Sequence, residues 1–299
     1  MELVDILVSV VLALIMFGIG VSLTFREIEL LFTHPKALIV SLFSQMILLP
    51  IIAFSIGFIF DIPNYIKVGL VILAASPGGT TSGFITYLFK GNTALAIVLI
   101  AVNSILALFT IPFIVNISLH QFEGVDRQFL LPFWNTFGEI FIFTIIPIII
   151  GVLVRQFNAK LAENISKYVK PVLIVLLGLV FVLKFVGLDG VSGIKNSEIM
   201  KILPYAVLIN ILLLFTGLFI AKLFKLGLKN EITISIESAV HNTTLAFLIS
   251  GMLLHNENYG KVALVYAMFS FWTAIIFCYL YKRMNKSSEK DTNHITKTL

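Results

Sequence analysis

Cysteine is nearly absent from this chain. Cys278 stands alone, so neither a disulfide framework nor a cysteine–histidine metal cluster can be built. Charge is scarce as well: acidic and basic residues make up 12% of 299, about half the ~25% usual in a globular chain. A water-soluble fold of this size could not cover its core with so little polar surface. Catalytic motifs are missing too. There is no HExxH pair and no Walker-type phosphate loop. Asp5, Asp61, Asp126, Asp189 and Asp291 fall at or beyond the ends of the apolar stretches, not in pairs within them. These absences exclude an ATP-driven pump on one chain. They leave a membrane-embedded receptor or enzyme as a remote alternative.

What the chain does have is apolar length. Hydrophobic residues make up 59% of it, gathered into nine stretches near the ~20 residues a membrane helix needs. They cover 4–24, 35–59, 66–89, 92–116, 132–154, 168–187, 200–224, 231–254 and 259–281. Turn signals separate them at Pro63, Lys90-Gly91-Asn92, Gly124 with Asp126, Asp189-Gly190 and Gly227. The sequence therefore predicts an all-α polytopic membrane protein of about nine transmembrane helices. The polar segment 282–299 is expected to be a disordered cytoplasmic tail. Met1 to Asp5 is acidic rather than basic, and Leu7 to Leu23 is long enough to span, so no cleavable leader is expected.

The net charge of +5 does not mark a nucleic-acid partner, because the basic residues sit in short loops and not on one face. With nine spans, fifteen of the twenty-one Lys and Arg fall on the side of the C-terminus. Ten are in loops: Arg26, Lys36, Lys90, Arg155, Lys160, Lys167, Lys170, Lys222, Lys225 and Lys229. Five are in the tail: Lys282, Arg283, Lys286, Lys290 and Lys297. Lys67, Arg127, Lys184, Lys195, Lys201 and Lys261 fall on the other side. This bias places the N-terminus outside and the C-terminus in the cytoplasm, in the cell (cytoplasmic) membrane.

Two stretches are interrupted at mid-length. The third holds Ser76-Pro77-Gly78-Gly79-Thr80-Thr81-Ser82-Gly83, and the eighth holds Glu237-Ser238-Ala239-Val240-His241-Asn242-Thr243-Thr244. Irregular backbone survives at such depth only inside protein or beside a wet cavity. The breaks lie about 163 positions apart and are preceded by matching spans, the pattern of an inverted repeat whose broken helices meet at a central binding site. A first repeat of four helices would occupy 1–116 and a second of five 132–281. Half-helices starting near Thr80 and Thr243 offer unpaired N–H groups and a positive dipole end to an anion. The bland alternative is that Pro77 and the glycines only kink a helix for packing.

Glu237 is the sharpest single signal. A mid-membrane carboxylate costs on the order of 2.5–3.5 kcal/mol on insertion scales, so it calls for a partner: a cation, a proton, or His241, four residues on and on the same helix face. A Glu237–His241 pair could equally be a purely structural brace. Glu139 and Lys184 lie close to the outer ends of their stretches and are expected to reach water. Asn103, Ser104 and Asn210 either line a cavity or hydrogen-bond between helices.

In order and spacing, these segments resemble the bile acid:sodium symporter family over almost the whole chain. The resemblance rests first on Met16-Phe17-Gly18-Ile19-Gly20 with Leu23-Thr24, on His34-Pro35-Lys36, and on Gln45 with Leu49-Pro50. It continues through Ser76-Pro77-Gly78-Gly79-Thr80-Thr81-Ser82, Thr86-Tyr87-Leu88, Lys90-Gly91-Asn92, and Glu237 with Asn242. It implies a nine-span bacterial form with a panel domain and a core domain, the two broken helices crossing in the core. It also implies alternating access by rocking of one domain on the other. The implied substrate is an organic anion: a bile acid-like compound or, in bacteria, a smaller carboxylate such as pantoate. The composition, rich in Ile, Lys and Asn, favours the smaller metabolite. Gly79, Thr80, Thr81, Asn242 and Thr243, at the two breaks, are the candidate anion contacts, and by the same resemblance Asn210 and Thr273 would also touch substrate.

The resemblance implies two sodium sites, and here the chain departs from the pattern. Ser82 and Glu237 match the first, but its asparagine position holds Gly83 and its hydroxyl positions hold Ala96 and Ile100. Asn103, one turn on, is the residue able to restore an oxygen. Gln45 and Glu237 match the second site, whose remaining ligands are backbone carbonyls, while a glutamine position holds His241. The expectation is a symporter coupled to one sodium ion, with the first site degenerate and no other cofactor. The alternative is a proton-coupled or uncoupled carrier using Glu237 and His241.

Overall fold

A computed structural model of the protein describes residues 3–24, 29, 35–124, 132–186 and 193–295. Arg26, His34, Asp126, Arg127, Asp189, Gly190 and Lys297 lie outside the described residues, and Thr80 is described by its backbone alone. Among the described residues the regular structure is helical. We number the helices α1 (Leu3–Ser22), α2 (Pro35–Ile59), α3 (Asn64–Ala75), α4 (Thr80–Leu88), α5 (Thr93–Glu123) and α6 (Phe133–Phe157). They continue as α7 (Ala159–Val186), α8 (Asn196–Leu223), α9 (Leu228–Ala239), α10 (Thr243–Leu253) and α11 (Glu257–Ile295).

Over their described residues the apolar stretches read from the sequence are helical, the third and eighth each in two pieces, and α2, α5, α6, α8 and α11 are each long and apolar enough to cross a bilayer. With large apolar side chains such as Ile59, Phe113, Phe157 and Phe219 exposed along them, the chain is a polytopic membrane protein. Two helices run past their expected ends. α7 begins at Ala159, where Asn158 Oδ1 accepts from Leu161 N at 2.9 Å and Arg155 meets Glu163 at 3.5 Å. Its first turns are amphipathic, so an apolar-run criterion misses them. α11 continues to Ile295, beyond residue 281, into the segment expected to be a disordered tail. Lys282 Nζ, donating to the Phe89 carbonyl at 3.0 Å, ties that exit to the end of α4.

Two prolines shape the long helices. Pro50 and Pro147 each follow a widened π turn, at Ser44–Leu48 in α2 and at Phe141–Ile145 in α6. A proline has no N–H and its ring crowds the carbonyl four residues back, so the turn before it opens. Gln45 is carried on the first of these turns.

The helices pack as two groups. α1, α6 and α7 contact chiefly one another, and α2, α3, α5, α8, α9 and α11 form the larger group. Glycines set the closest approaches. A methyl at Gly20 would strike the Ile148 carbonyl, and one at Gly151 would strike the Phe17 carbonyl, so α1 and α6 cross with backbones touching. In the larger group Gly217 of α8 does the same against Ile234 and Ser235 of α9, and Gly69 of α3 against α11 at Tyr259 and Val262. Small residues give helices their contact area in lipid, where no hydrophobic force separates helix from solvent. Replacing Gly151 by Val should therefore destabilise the protein by about 1–3 kcal/mol through overpacking. The same change at Gly138, where an added methyl would meet nothing within 4 Å, should cost far less; melting curves of both variants in detergent check this.

Candidate functional site

The two interrupted helices meet at their interruptions. α3 ends at Ala75 and α4 starts at Thr80; α9 ends at Ala239 and α10 starts at Thr243. Between them Gly79 N donates to the Val240 carbonyl at 3.2 Å and Asn242 N donates to the Pro77 carbonyl at 2.8 Å. These bonds make a one-residue antiparallel bridge between Gly78 and His241. A third contact crosses the same way: His241 Nδ1 lies 2.9 Å from the Ser76 carbonyl. A carbonyl only accepts, so Nδ1 carries the proton. Each break thus supplies the polar partners that the other lost on leaving helical geometry.

Glu237, on the last turn of α9, is fully buried, and among the described residues neither carboxylate oxygen receives a hydrogen bond of good geometry. It sits directly against the first break. A methyl at Gly78 would run into its carboxylate and stand 3.4 Å from Ser82 Oγ. Ser82 flanks the same carboxylate, but its single proton is engaged by the Gly79 carbonyl at 2.5 Å. The brace expected between Glu237 and His241 is not formed. The histidine bonds to Ser76, and its Nε2 makes no hydrogen bond of good geometry. Ser238 Oγ, Thr86 Oγ1 and Asn242 Nδ2 are likewise buried without partners among the described residues. The start of α10 is capped by Asn242 Oδ1, which accepts from Leu245 N at 3.0 Å. Asn92 caps α5 in the same manner, through Leu95 N at 3.1 Å.

Gln45 and Asn103 form a separate buried pair, Asn103 Nδ2 donating to Gln45 Oε1 at 2.6 Å, with Gln45 Nε2 left unpartnered among the described residues. Neither bonds to Glu237. Ala96 and Ile100 are buried, and Ile100 Cδ1 lies 3.9 Å from the methyl position of Gly83. These three positions present an apolar surface.

A cavity of about 850 Å³ lies between the two helix groups. Its polar lining comes from both half-helix starts, Thr81 on α4 and His241 with Thr243 at α10, and from Ser22, Tyr87, Thr93 and Ser270. The walls are apolar, with Ile15, Phe84, Phe181 and Phe271 prominent, and no Lys or Arg among the described residues lines the space.

Asn210 and Thr273 occupy a different setting. Asn210 Nδ2 donates to the Ala239 carbonyl at 3.1 Å and to Tyr266 Oη at 2.8 Å, while its Oδ1 accepts from Thr273 Oγ1 at 2.6 Å. Tyr266 Oη donates to the same Ala239 carbonyl at 2.5 Å. The first half-helix ends at Ala239, so this carbonyl has no helical donor; α8 and α11 supply two. Sequence reasoning misses Tyr266, although a phenol in the middle of an apolar stretch is itself a sign that a polar partner waits there.

Crossed broken helices, a buried unpaired carboxylate and a cavity between two helix groups define a multi-pass membrane transporter. The chain belongs to the sodium bile acid symporter family, whose sequence pattern it matches over residues 9–192, more than half its length. It is 27% identical over 267 residues to the uncharacterized sodium-dependent transporter YocS of Bacillus subtilis, covering 89% of this chain and 78% of that one. It is 25% identical over 300 residues to the hepatic sodium/bile acid cotransporter of Rattus norvegicus, covering 98% and 81%. To the probable chloroplastic sodium/metabolite cotransporter BASS1 of Arabidopsis thaliana it is 26% identical over 254 residues, covering 84% of this chain and 59% of the plant protein. It is thus a member of a transporter family, not an enzyme.

Because Asn210 and Tyr266 donate to one carbonyl, their removal should be non-additive. Asn210→Ala and Tyr266→Phe should each cost about 1–3 kcal/mol, and the double variant more than the sum, since the Ala239 carbonyl then has no donor. A double-mutant cycle by thermal melting measures this.

Proposed function

We propose that the protein is a sodium-coupled symporter of an organic anion, working by alternating access in the cytoplasmic membrane with its N-terminus outside. The observation that carries this reading is Glu237: fully buried at the crossing, four residues before His241 of the cavity wall, with neither oxygen in a hydrogen bond of good geometry among the described residues. A charge in that position is expensive to bury alone, and a sodium ion neutralises it. Ser82 Oγ and the carbonyls around the breaks are the neighbouring oxygens, with the Gln45–Asn103 pair in reserve. Because Gly83, Ala96 and Ile100 offer no side-chain oxygen, the coupling is to one sodium ion. Relatives described as sodium-dependent transporters support the choice of ion.

The anion end of the solute is held by the positive dipole ends at the starts of α4 and α10, with the Thr81 and Thr243 side chains; at α10 the Asn242 side chain and the His241 carbonyl already take Leu245 N and Thr243 N. The apolar walls accept the rest of the molecule, so the solute is an amphipathic or small branched carboxylate. The three-helix group α1, α6 and α7 is the panel, the larger group is the core, and 1–116 with 132–281 are inverted repeats. Two interrupted helices of similar length, joined at their breaks, support that symmetry.

The test needs no knowledge of the solute. Melting of the purified protein is compared in sodium and in choline at equal ionic strength. Sodium at 100 times its dissociation constant should add roughly 2.7 kcal/mol. Glu237→Gln should abolish that increment and, by removing the buried charge, raise stability in choline. A stability that ignores sodium and follows pH instead would replace sodium by a proton on Glu237.

A further inference from the structure

The sequence assigns Lys184 to the water-facing end of its stretch, yet its side chain is only 6% exposed. Lys184 Nζ lies 2.6 Å from Glu257 Oε1. The pair joins α7, in the three-helix group, to the first turn of α11, in the larger group. One turn further along α11, Lys261 Nζ lies 2.7 Å from Glu198 Oε1 at the start of α8. That second pair stays within the larger group. The two ion pairs are nearly equal in length and one helix turn apart. They differ in what they join: of the two, Lys184–Glu257 alone spans the interface across which the groups would move.

Its position relative to the cavity is specific. Alternation of the helices puts the end of α7 and the start of α11 on the membrane face opposite the end of α1, the end of α4 and the start of α5. The large cavity is lined at that second face by Ser22, Tyr87 and Thr93. Toward the first face it reaches Phe247. Phe247 also lines a small void of about 20 Å³ bounded by Lys184, Glu257 and Lys261. One phenylalanine layer thus separates the solute cavity from the charged cluster. One further contact lies at the same end: Ser9 Oγ of α1 is 3.5 Å from Met252 Sδ of α10.

We propose that Lys184 and Glu257 form the outer gate of the transport cycle: the ion pair holds the groups together over Phe247 in the inward-open state, and it separates when the cavity opens outward. A desolvated ion pair suits a gate because it is strong only at contact. Once parted, both charges regain water and the attraction falls steeply with the local dielectric. The proposal rests on alternating access but not on the identity of ion or solute.

The experiment reads the state of the gate without either. Ser270, on the cavity wall, is changed to Cys in a Cys278→Ser background, and a membrane-impermeant maleimide is applied to each face of the membrane in turn. In the parent, labelling from the N-terminal face should be slow and from the opposite face fast. Lys184→Gln should raise the outer labelling rate about tenfold or more. Lys261→Gln should leave it within about twofold, although it breaks an ion pair one turn away. The exchange Lys184→Glu with Glu257→Lys, which restores the pair with its charges reversed, should return the rate to that of the parent. Equal outer labelling in the parent and Lys184→Gln overturns the proposal, as does equal opening by Lys261→Gln or failure of the exchange to restore closure. Failure of sodium to stabilise the protein would leave this experiment readable, so the two readings fall separately.

Discussion

The structure depends on a bridge two hydrogen bonds wide. Gly79 N to the Val240 carbonyl and Asn242 N to the Pro77 carbonyl are short-range contacts between irregular segments, at a depth where an unpaired backbone group is costly. Without them neither break is tolerable; with them, both helices stop and restart at the same point. The stops leave carbonyls to be satisfied by outsiders, and those outsiders are specific: His241 for Ser76, Tyr266 and Asn210 for Ala239. The restarts aim two positive dipole ends, at Thr81 and Thr243, toward the cavity. Most polar features of the site follow from the crossing.

Glu237 gains its character from the same geometry. Two residues after it the helix ends, and the partner strand approaches at Gly78, where even a methyl group would collide with the carboxylate. The absence of a side chain there lets the backbone and the acid share one space. Unbroken helical spacing would bring His241 beside the acid as its neutralising partner. The interruption at Val240 turns the ring away from that face and commits Nδ1 across the bridge instead. The departure from helical geometry thus leaves the acid available to a mobile cation.

Much of this was legible in the chain. Apolar length predicts the helices, because a lipid-facing segment must be long and uncharged. The two breaks are visible because proline, glycine and a buried acid are all costly at that depth. Other features are hidden. α7's first turns are polar on one side and apolar on the other, which conceals them from a search for apolar runs. Asn210 and Thr273 read as solute contacts from the family pattern; that Asn210 bonds to the Ala239 carbonyl and Thr273 to Asn210 shows only once α8 and α11 are placed beside α9. Tyr266 is a partner chosen by three-dimensional proximity across 27 positions, and no periodicity reports it. Lys184 shows the same limit: closeness to a helix end predicts hydration unless another helix covers it.

The bridge also has a consequence for biosynthesis. Its two strands are about 163 residues apart, and a ribosome adding ~5–20 residues per second needs about 8–30 s to make the second after the first. Over that interval α3 and α4 exist without α9 and α10. Twelve and nine residues long, they span about 18 and 14 Å as helices, each too short to cross the ~30 Å hydrocarbon layer alone. The Pro77 carbonyl and the Gly79 N–H must meanwhile be sheltered by water, headgroups or the insertion machinery. The first half of the chain is therefore an unfinished membrane protein until the second arrives, and its final threading is a late, post-insertion step.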